Sequence, residues 1–355
     1  MHFYLVTTYN HQPFIAQAIE SIVHQYRDHA EFARRAEIFV VDDASLDGTP
    51  AELERLAKLH PNIRLHFNSQ NQGIGKNRNF LLDWLYGQVV TAEDHVIFLD
   101  GDDMLAKQHL HHKLRLFTRD PDLEVVGGQL QLFYMDGRPD SVVNTFSLDP
   151  EIQEIASLFE CHFYASNAMF RASVFKRSQV RFPETETSED WLFFAIHPLR
   201  KRHAEDVTVH YRRHTHNLTD TVVDPLTIGQ LRHTAHRLWA LRIGLHLSDE
   251  ECHLLDLVGY LSFRLRMSAQ TIAKANIYMP WFKELKNQPY TLSHWADTRK
   301  ALRTLFQRLL DNNARIPYYN PIKLKTFLEG MLKLADQEVM EASTIQVGAS
   351  ARQPA

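Results

Sequence analysis

The chain has 355 residues, 44% hydrophobic and 23% charged, with a formal net charge of −4. That size supports one large domain with an appendage, or two domains, with a sizeable core. The balance excludes a global basic field of the kind that draws nucleic acid, so no nucleic-acid partner is expected. Cys161 and Cys252 cannot build a disulfide framework or a structural zinc site alone, and they point to a reducing compartment. No apolar run reaches about 18 residues, so no membrane span is expected. Met1-His2-Phe3-Tyr4-Leu5 lacks a basic flank and a small-residue cleavage site, so no signal peptide is expected either.

Phe3-Tyr4-Leu5-Val6-Thr7 reads as a first strand. Pro13 then opens a helical stretch with Ile15, Ala18, Ile19 and Ile22 at helical spacing. A second strand, Ile38-Phe39-Val40-Val41, ends in Asp42 and Asp43, and Ser45, Asp47, Gly48 and Thr49 supply turn chemistry. Leu53, Leu56 and Leu59 line the next helix, and Ile63 to Phe67 alternates as a third strand. A loop over residues 68–75, with Asn71, Gly73 and Gly75, leads through Lys76, Asn77, Arg78 and Asn79 into an apolar helix. The fourth strand is Val96-Ile97-Phe98-Leu99, and it stops abruptly in Asp100-Gly101-Asp102-Asp103. A helix with Leu110, Leu114 and Phe117 follows, and His109, His111 and His112 read as its solvated face.

This alternation argues for a mostly parallel sheet covered by helices on both faces. Right-handed crossovers bring the strand ends to one side, so Asp42–Asp43, the residue 71–78 loop and Asp100–Asp103 should converge there. Carboxylates this close repel one another unless a cation sits between them. A divalent cation flanked by carboxylates, with Lys and Arg nearby, suits a pyrophosphate.

Beyond residue 130 the alternation weakens. Ser166 to Arg171 reads as a short strand, Ser188-Glu189-Asp190-Trp191 as a capped helix start, and Val207 to His214 as a strand that turns basic. Helices are expected over 231–247, 249–275, 293–310 and 321–341, and 342–355 reads as a flexible tail. The expected domains are therefore 1–224 and a helical region, 225–341.

Gly73-Ile74-Gly75-Lys76 lacks the Walker spacing and no Gly-x-Gly-x-x-Gly order is present, so P-loop and dinucleotide-binding readings lose ground. Six segments together carry a resemblance: Val6 to Asn10, Val40 to Thr49, Asn71 to Asn79, Phe98 to Asp103, Ser188 to Trp191 and Tyr211 to His214. In this order and spacing the chain resembles a family 2 glycosyltransferase of the GT-A fold over roughly residues 3–220. The resemblance implies that Thr7, Tyr9, Asp42 and Asp43 hold the base and ribose of a nucleotide-sugar, with a UDP-sugar first in line. It implies that Lys76 and Arg78 lie along the ribose–diphosphate and that Asp100 contacts the ribose or a metal-bound water. Asp102, with His214, would bind Mn2+ or Mg2+, and Asp190 would be the general base of an inverting displacement. Glu189 and Trp191 would stand on the acceptor side. The acceptor would be a glycan or lipid-linked hydroxyl in surface polysaccharide or lipopolysaccharide synthesis. A sugar nucleotidyltransferase and a non-catalytic sugar-nucleotide or glycan-binding module stay open as alternatives.

The C-terminal helices lie outside the resemblance. Residues 260–330 hold twelve Lys or Arg against four Asp or Glu, interleaved with Tyr278, Trp281, Phe282, Trp295, Phe306, Tyr318 and Tyr319. Two readings fit: a packed cap or homo-oligomer interface, or a peripheral membrane-docking surface. The expected setting is cytoplasmic.

Overall fold

A computed structural model describes residues 1–88, 90–137, 139–143, 154, 157–159, 161, 163–177, 179–185, 187–215, 217, 225–266, 295–312, 322–333 and 336–337. The chain divides into two compact units, Met1–Pro150 with Cys161–Val222, and Glu151–Glu160 with Val223–Ala355. A single boundary at residue 224 misses the assignment of Glu151–Glu160 to the second unit, because nothing in the local composition marks it.

In the first unit, four parallel strands stand in the order β3-β2-β1-β4: β1 (His2–Thr8), β2 (Ala36–Asp42), β3 (Ile63–Phe67) and β4 (His95–Asp100). Helices α1 (Ile15–Val23), α2 (His29–Arg35), α3 (Thr49–Leu59) and α4 (Ile74–Tyr86) lie between them in sequence. Successive side chains on a strand point to opposite faces. Tyr4 and Val6 of β1, Ile38 and Val40 of β2, and Ile97 and Leu99 of β4 thus meet Ile15, Ile19 and Ile22 of α1 with Leu53 and Leu56 of α3. Phe3, Leu5, Phe39, Val41, Val96 and Phe98 meet Leu81, Leu82 and Leu85 of α4 and a cluster of phenylalanines, Phe170, Phe175, Phe182 and Phe193. Fully burying each such side chain is worth about 1.5–3 kcal/mol, so both faces of the sheet are sealed. The register pairs Thr7 with Asp100 and Thr8 with Asp42, which fixes the acidic strand ends side by side.

Past β4 the sheet becomes mixed. Strands β5 (Met104–Leu105), β6 (Val125–Tyr134), β7 (Ser141–Val143), β8 (Met169–Arg171) and β9 (Lys201–Arg213) follow, with α5 (His109–Arg119) and α6 (Glu189–Ile196) between them. β8 is antiparallel to β4 and β6, β9 is parallel to β6, and β5 is antiparallel to β9. The pairing of Met104 with His210 carries the end of β9 to the turn after β4. Contrary to the expected solvated histidine face, His109 is fully buried on α5 with its Nδ1 2.8 Å from the Thr208 carbonyl.

The second unit is helical: α7 (Pro225–Arg242), α8 (Asp249–Arg266), α9 (Trp295–Asp311) and a further helix over 322–333. Trp239, Leu255, Val258, Leu302, Leu305 and Leu309 are buried in it. Gly244, with φ +77°, follows α7 and ends it earlier than the apolar spacing suggests. Of the aromatic residues expected on a docking surface, Tyr278, Trp281, Phe282, Tyr318 and Tyr319 lie outside the described residues, as does the tail. Phe306 is buried, and Trp295 Nε1 donates to Asp336 Oδ1 at 2.7 Å. Among the described residues no helix is long and apolar enough to cross a membrane.

Candidate active site

The ends of β1, β2 and β4 are laced together by their own loops. Asn10, with φ 55°, follows β1; its Oδ1 accepts from the Leu46 amide and its own amide donates to Ser45 Oγ, both at 2.8 Å. Asp42 accepts from the Ser45 amide and hydroxyl at 3.0 and 2.5 Å. Asp43 Oδ1 accepts from Asn68 Nδ2 at 2.8 Å and the Gln72 amide at 2.7 Å, and Oδ2 from the Gly73 amide at 3.0 Å. Gly73 carries φ +84°, a backbone region that costs other residues a Cβ clash, and it starts α4 with Asp43 at the favourable end of the helix dipole.

Arg78 stands at the centre. Its side chain, 1% exposed, projects from the first turns of α4. Nη2 donates to both oxygens of Asp100 at 3.1 and 3.3 Å; Nη1 donates to Glu189 Oε1 at 2.6 Å and Asp190 Oδ1 at 2.7 Å. Thr7 Oγ1 donates to Asp100 at 3.0 Å, and the Phe182 ring lies 5.3 Å from the guanidinium carbon. Burial opposes the charge on Arg78, but Asp190, Asp100 and Glu189 outweigh it and hold the guanidinium protonated. Three carboxylates share one cation, so the cluster carries excess negative charge. Burial, with the charge of Asp190, pushes the Glu189 carboxyl up; burial also raises Asp190, with the Asp100 charge adding to it and Arg78 opposing. A buried carboxylate of raised pKa is a stronger base than one in water, which is what abstraction of a hydroxyl proton requires.

The second half of the site is the Asp102 turn. A Cβ on Gly101 would come within 2.6 Å of Thr8 Oγ1 and 3.1 Å of His11 Nδ1, so only glycine lets this turn lie against the end of β1. Arg212, near the end of β9, clamps it: Nε donates to the Asp102 carbonyl at 2.7 Å, and the Arg212 amide donates to Asp103 Oδ1 at 2.9 Å. The guanidinium carbon of Arg212 lies 4.5 Å from the Phe14 and Phe133 ring centres. Asp103 is buried, and burial together with Asp102 and Asp100 lifts its carboxyl well above the usual carboxylate range. Burial also works to raise Asp102, but the His214 hydrogen bond and the charges of His11 and His214 outweigh it and hold that carboxyl low. Among the described residues one trio lies close enough to hold a metal ion: His11, Asp102 and His214, with ligand atoms all within 4.8 Å of one another. Its two imidazoles and one carboxylate are donors that suit a divalent cation.

Several expected site residues converge here: Thr7, Arg78, Asp100, Glu189 and Asp190 in one network, and Asp102 with His214 in the other. Others sit differently. Arg78 is buried between Asp100, Glu189 and Asp190. Asp42 and Asp43 turn their oxygens onto neighbouring loops. Lys76 is exposed at the start of α4, and Tyr9 is 40% exposed beyond β1. Trp191 is buried on α6. Ser188 makes no capping hydrogen bond; it takes a left-handed conformation, φ 60°, that turns the chain into Glu189 and Asp190. His11 has a place no sequence signal announced, since Thr-Tyr-Asn-His-Gln-Pro reads as a plain turn; Arg212 lies in the Tyr211 to His214 segment, which marked it without a role.

The family model described as "Glycosyl transferase family 2" matches residues 4–178. EpsH of Bacillus subtilis (strain 168) is 26% identical over 219 residues, 59% of this chain and 60% of that protein. The minor teichoic acid biosynthesis protein GgaA of the same organism is 25% identical over 236 residues, 65% of this chain and 50% of that protein. The chain thus spans about half to three fifths of the length of these relatives. The crystal structure of residues 1–349 of Staphylococcus aureus TarS in complex with UDP-GlcNAc aligns with a TM-score of 0.56 at 17% identity, over 97% of this chain and 92% of that one. This likeness is one of fold, and the fold is the GT-A fold.

Proposed function

We propose, on the match of residues 4–178 to the family 2 glycosyl transferase model, that the chain moves a sugar from a nucleoside-diphosphate sugar to an acceptor hydroxyl with inversion. The observation that carries this reading is the Arg78 bridge, which joins Asp190 to Asp100, two residues from Asp102. It sets a partly buried base, 16% exposed, beside the turn that would receive the donor's diphosphate. Asp190 takes the acceptor's proton; the acceptor oxygen attacks the anomeric carbon as its bond to the diphosphate breaks, and the electron pair leaves on the nucleoside diphosphate. Arg78 then acts as a positioning residue, fixing Asp190 and Asp100 relative to each other. A divalent ion at Asp102 and His214, Mn2+ or Mg2+ first among candidates, would neutralise charge on the departing group. Thr7, Tyr9, Asp43 and Lys76 would border the donor, and Glu189 the acceptor side.

The TarS complex with UDP-GlcNAc makes a UDP-sugar the first donor to test, and the teichoic acid role in the name of GgaA favours a surface-polymer or lipid-linked acceptor. A panel of nucleotide-sugars, assayed for released product with metal and with chelator, tests the reading. Metal-dependent release of nucleoside diphosphate is expected. Release of pyrophosphate would point to nucleotidyl transfer instead, and tight donor binding without turnover on any acceptor or water to a binding module.

A further inference from the structure

We propose that His11 is a third protein ligand of the metal, that the site selects a first-row transition dication over Mg2+, and that it binds that ion before the nucleotide. This rests on the reading above that Asp102 and His214 hold the donor's metal. Asp102 Oδ2 lies 3.1 Å from His214 Nε2 and 3.7 Å from His11 Nε2. The second separation exceeds a hydrogen bond, yet both match the edges of a coordination shell whose bonds are about 2.1 Å. The three side chains are 17%, 13% and 8% exposed for His11, Asp102 and His214, sheltered but reachable.

Each ligand is held from behind, as metal ligands need to be. His11 Nδ1 lies 3.2 Å from Thr8 Oγ1, which leaves Nε2 facing Asp102. Gly101 makes the space for that approach. The His214 amide donates to Asn217 Oδ1 at 2.7 Å, and Phe14 lies 4.9 Å from the His214 ring. Arg212 fixes the Asp102 backbone from the other side.

The chemistry follows from the donor set. A site with one or two carboxylate oxygens binds Mg2+ weakly and needs substrate phosphates to complete an oxygen shell. Two imidazoles and one carboxylate would give the ion three protein ligands. Imidazole nitrogen favours first-row transition ions, with affinity rising from Mn2+ through Co2+ to Cu2+, and suits Mg2+ poorly. Three protein ligands also hold an ion with no phosphate present, leaving open positions for diphosphate oxygens.

The test uses the 355-residue chain stripped with chelator and titrated with Co2+ alone, followed by calorimetry and by visible absorption. Saturable one-to-one binding is expected without nucleotide, and a large excess of Mg2+ should fail to displace the ion. His11→Ala should weaken Co2+ binding by at least about tenfold and alter the absorption bands. His11→Gln, which keeps a polar side chain in the space, should do the same, and circular dichroism checks that both variants fold. UDP binding at saturating Mn2+ should survive in both through Asp102 and His214. Unchanged Co2+ affinity in both variants, Co2+ uptake only after UDP is added, or ready displacement by Mg2+ would overturn the inference while leaving the reading above intact. Failure of wild type to bind UDP with any metal would overturn that reading as well.

Discussion

Each of the two units buries a cluster of charges, and the two clusters are balanced in opposite ways. In the first unit one cation, Arg78, is shared by Asp100, Glu189 and Asp190. In the second, one carboxylate, Asp256, accepts from Arg232 Nε at 2.7 Å, His233 Nε2 at 2.8 Å and His236 Nε2 at 3.1 Å, while His236 Nδ1 lies 2.6 Å from the Leu158 carbonyl. Burial works against the charge on Asp256, but Arg232, His233 and His236 overcome it and hold the carboxyl far below the usual range. The Asp256 cluster is satisfied within the protein and ties α7 to α8. The Arg78 cluster holds more negative charge than its own cation neutralises, and on the proposed mechanism a proton from the incoming hydroxyl would relieve that. Surplus charge of this kind marks a site that acts on something else.

The sharpest way to break the contrast is Asp190→Asn. Transfer should fall by about a thousandfold, the range associated with losing a positioned base, while the affinity for UDP stays near wild type; steady-state kinetics and calorimetry read the two separately. Retained transfer would remove Asp190 from the mechanism. Next come Arg78→Met and Asp256→Asn, which strip the shared partner from each cluster. Each leaves buried groups uncompensated and should cost about 3–5 kcal/mol in denaturant unfolding. Only Arg78→Met should also lower transfer at saturating donor, whereas Asp256→Asn should leave UDP affinity unchanged.

The smallest effect separates the clusters by pH. Asp256 is depressed in the folded state, so its stabilisation is present above the unfolded carboxylate value of about 3.9 and is lost as pH falls below it. Glu189 is raised to about 7, so its contribution is present in acid and is lost as pH climbs through that value. Asp256→Asn should flatten the acid limb of the stability curve and Glu189→Gln the limb near neutrality. Identical curves for the two variants would erase the distinction.

How much of this the sequence discloses depends on element length. β1 is legible as an apolar run, and β2 and β4 as apolar runs that end in acids, the feature that brings Asp42, Asp43, Asp100 and Asp102 to attention. The antiparallel half is legible in part: Ser166 to Arg171 reads as a strand and contains β8, and Val207 to His214 overlaps β9, whereas β5, two residues long, shows no period. Arg78 reads as a donor contact because a basic residue after a glycine-rich loop suggests phosphate; its burial depends on Glu189 and Asp190, more than a hundred positions away in the chain. His11 is hidden for the same reason. Its place beside Asp102 arises only where Gly101 lets the end of β1 meet the end of β4 and where β9 brings in His214. Asp256 lies in α8 with no motif around it, and its partners Arg232, His233 and His236 all stand on α7.

Titrating UDP into the wild-type protein with Mn2+, with chelator, and into Asp102→Ala with Mn2+ tests most directly whether the turn after β4 grips a diphosphate through an ion. Binding is expected only in the first of the three. Equal affinity in all three would contradict that role for Asp102.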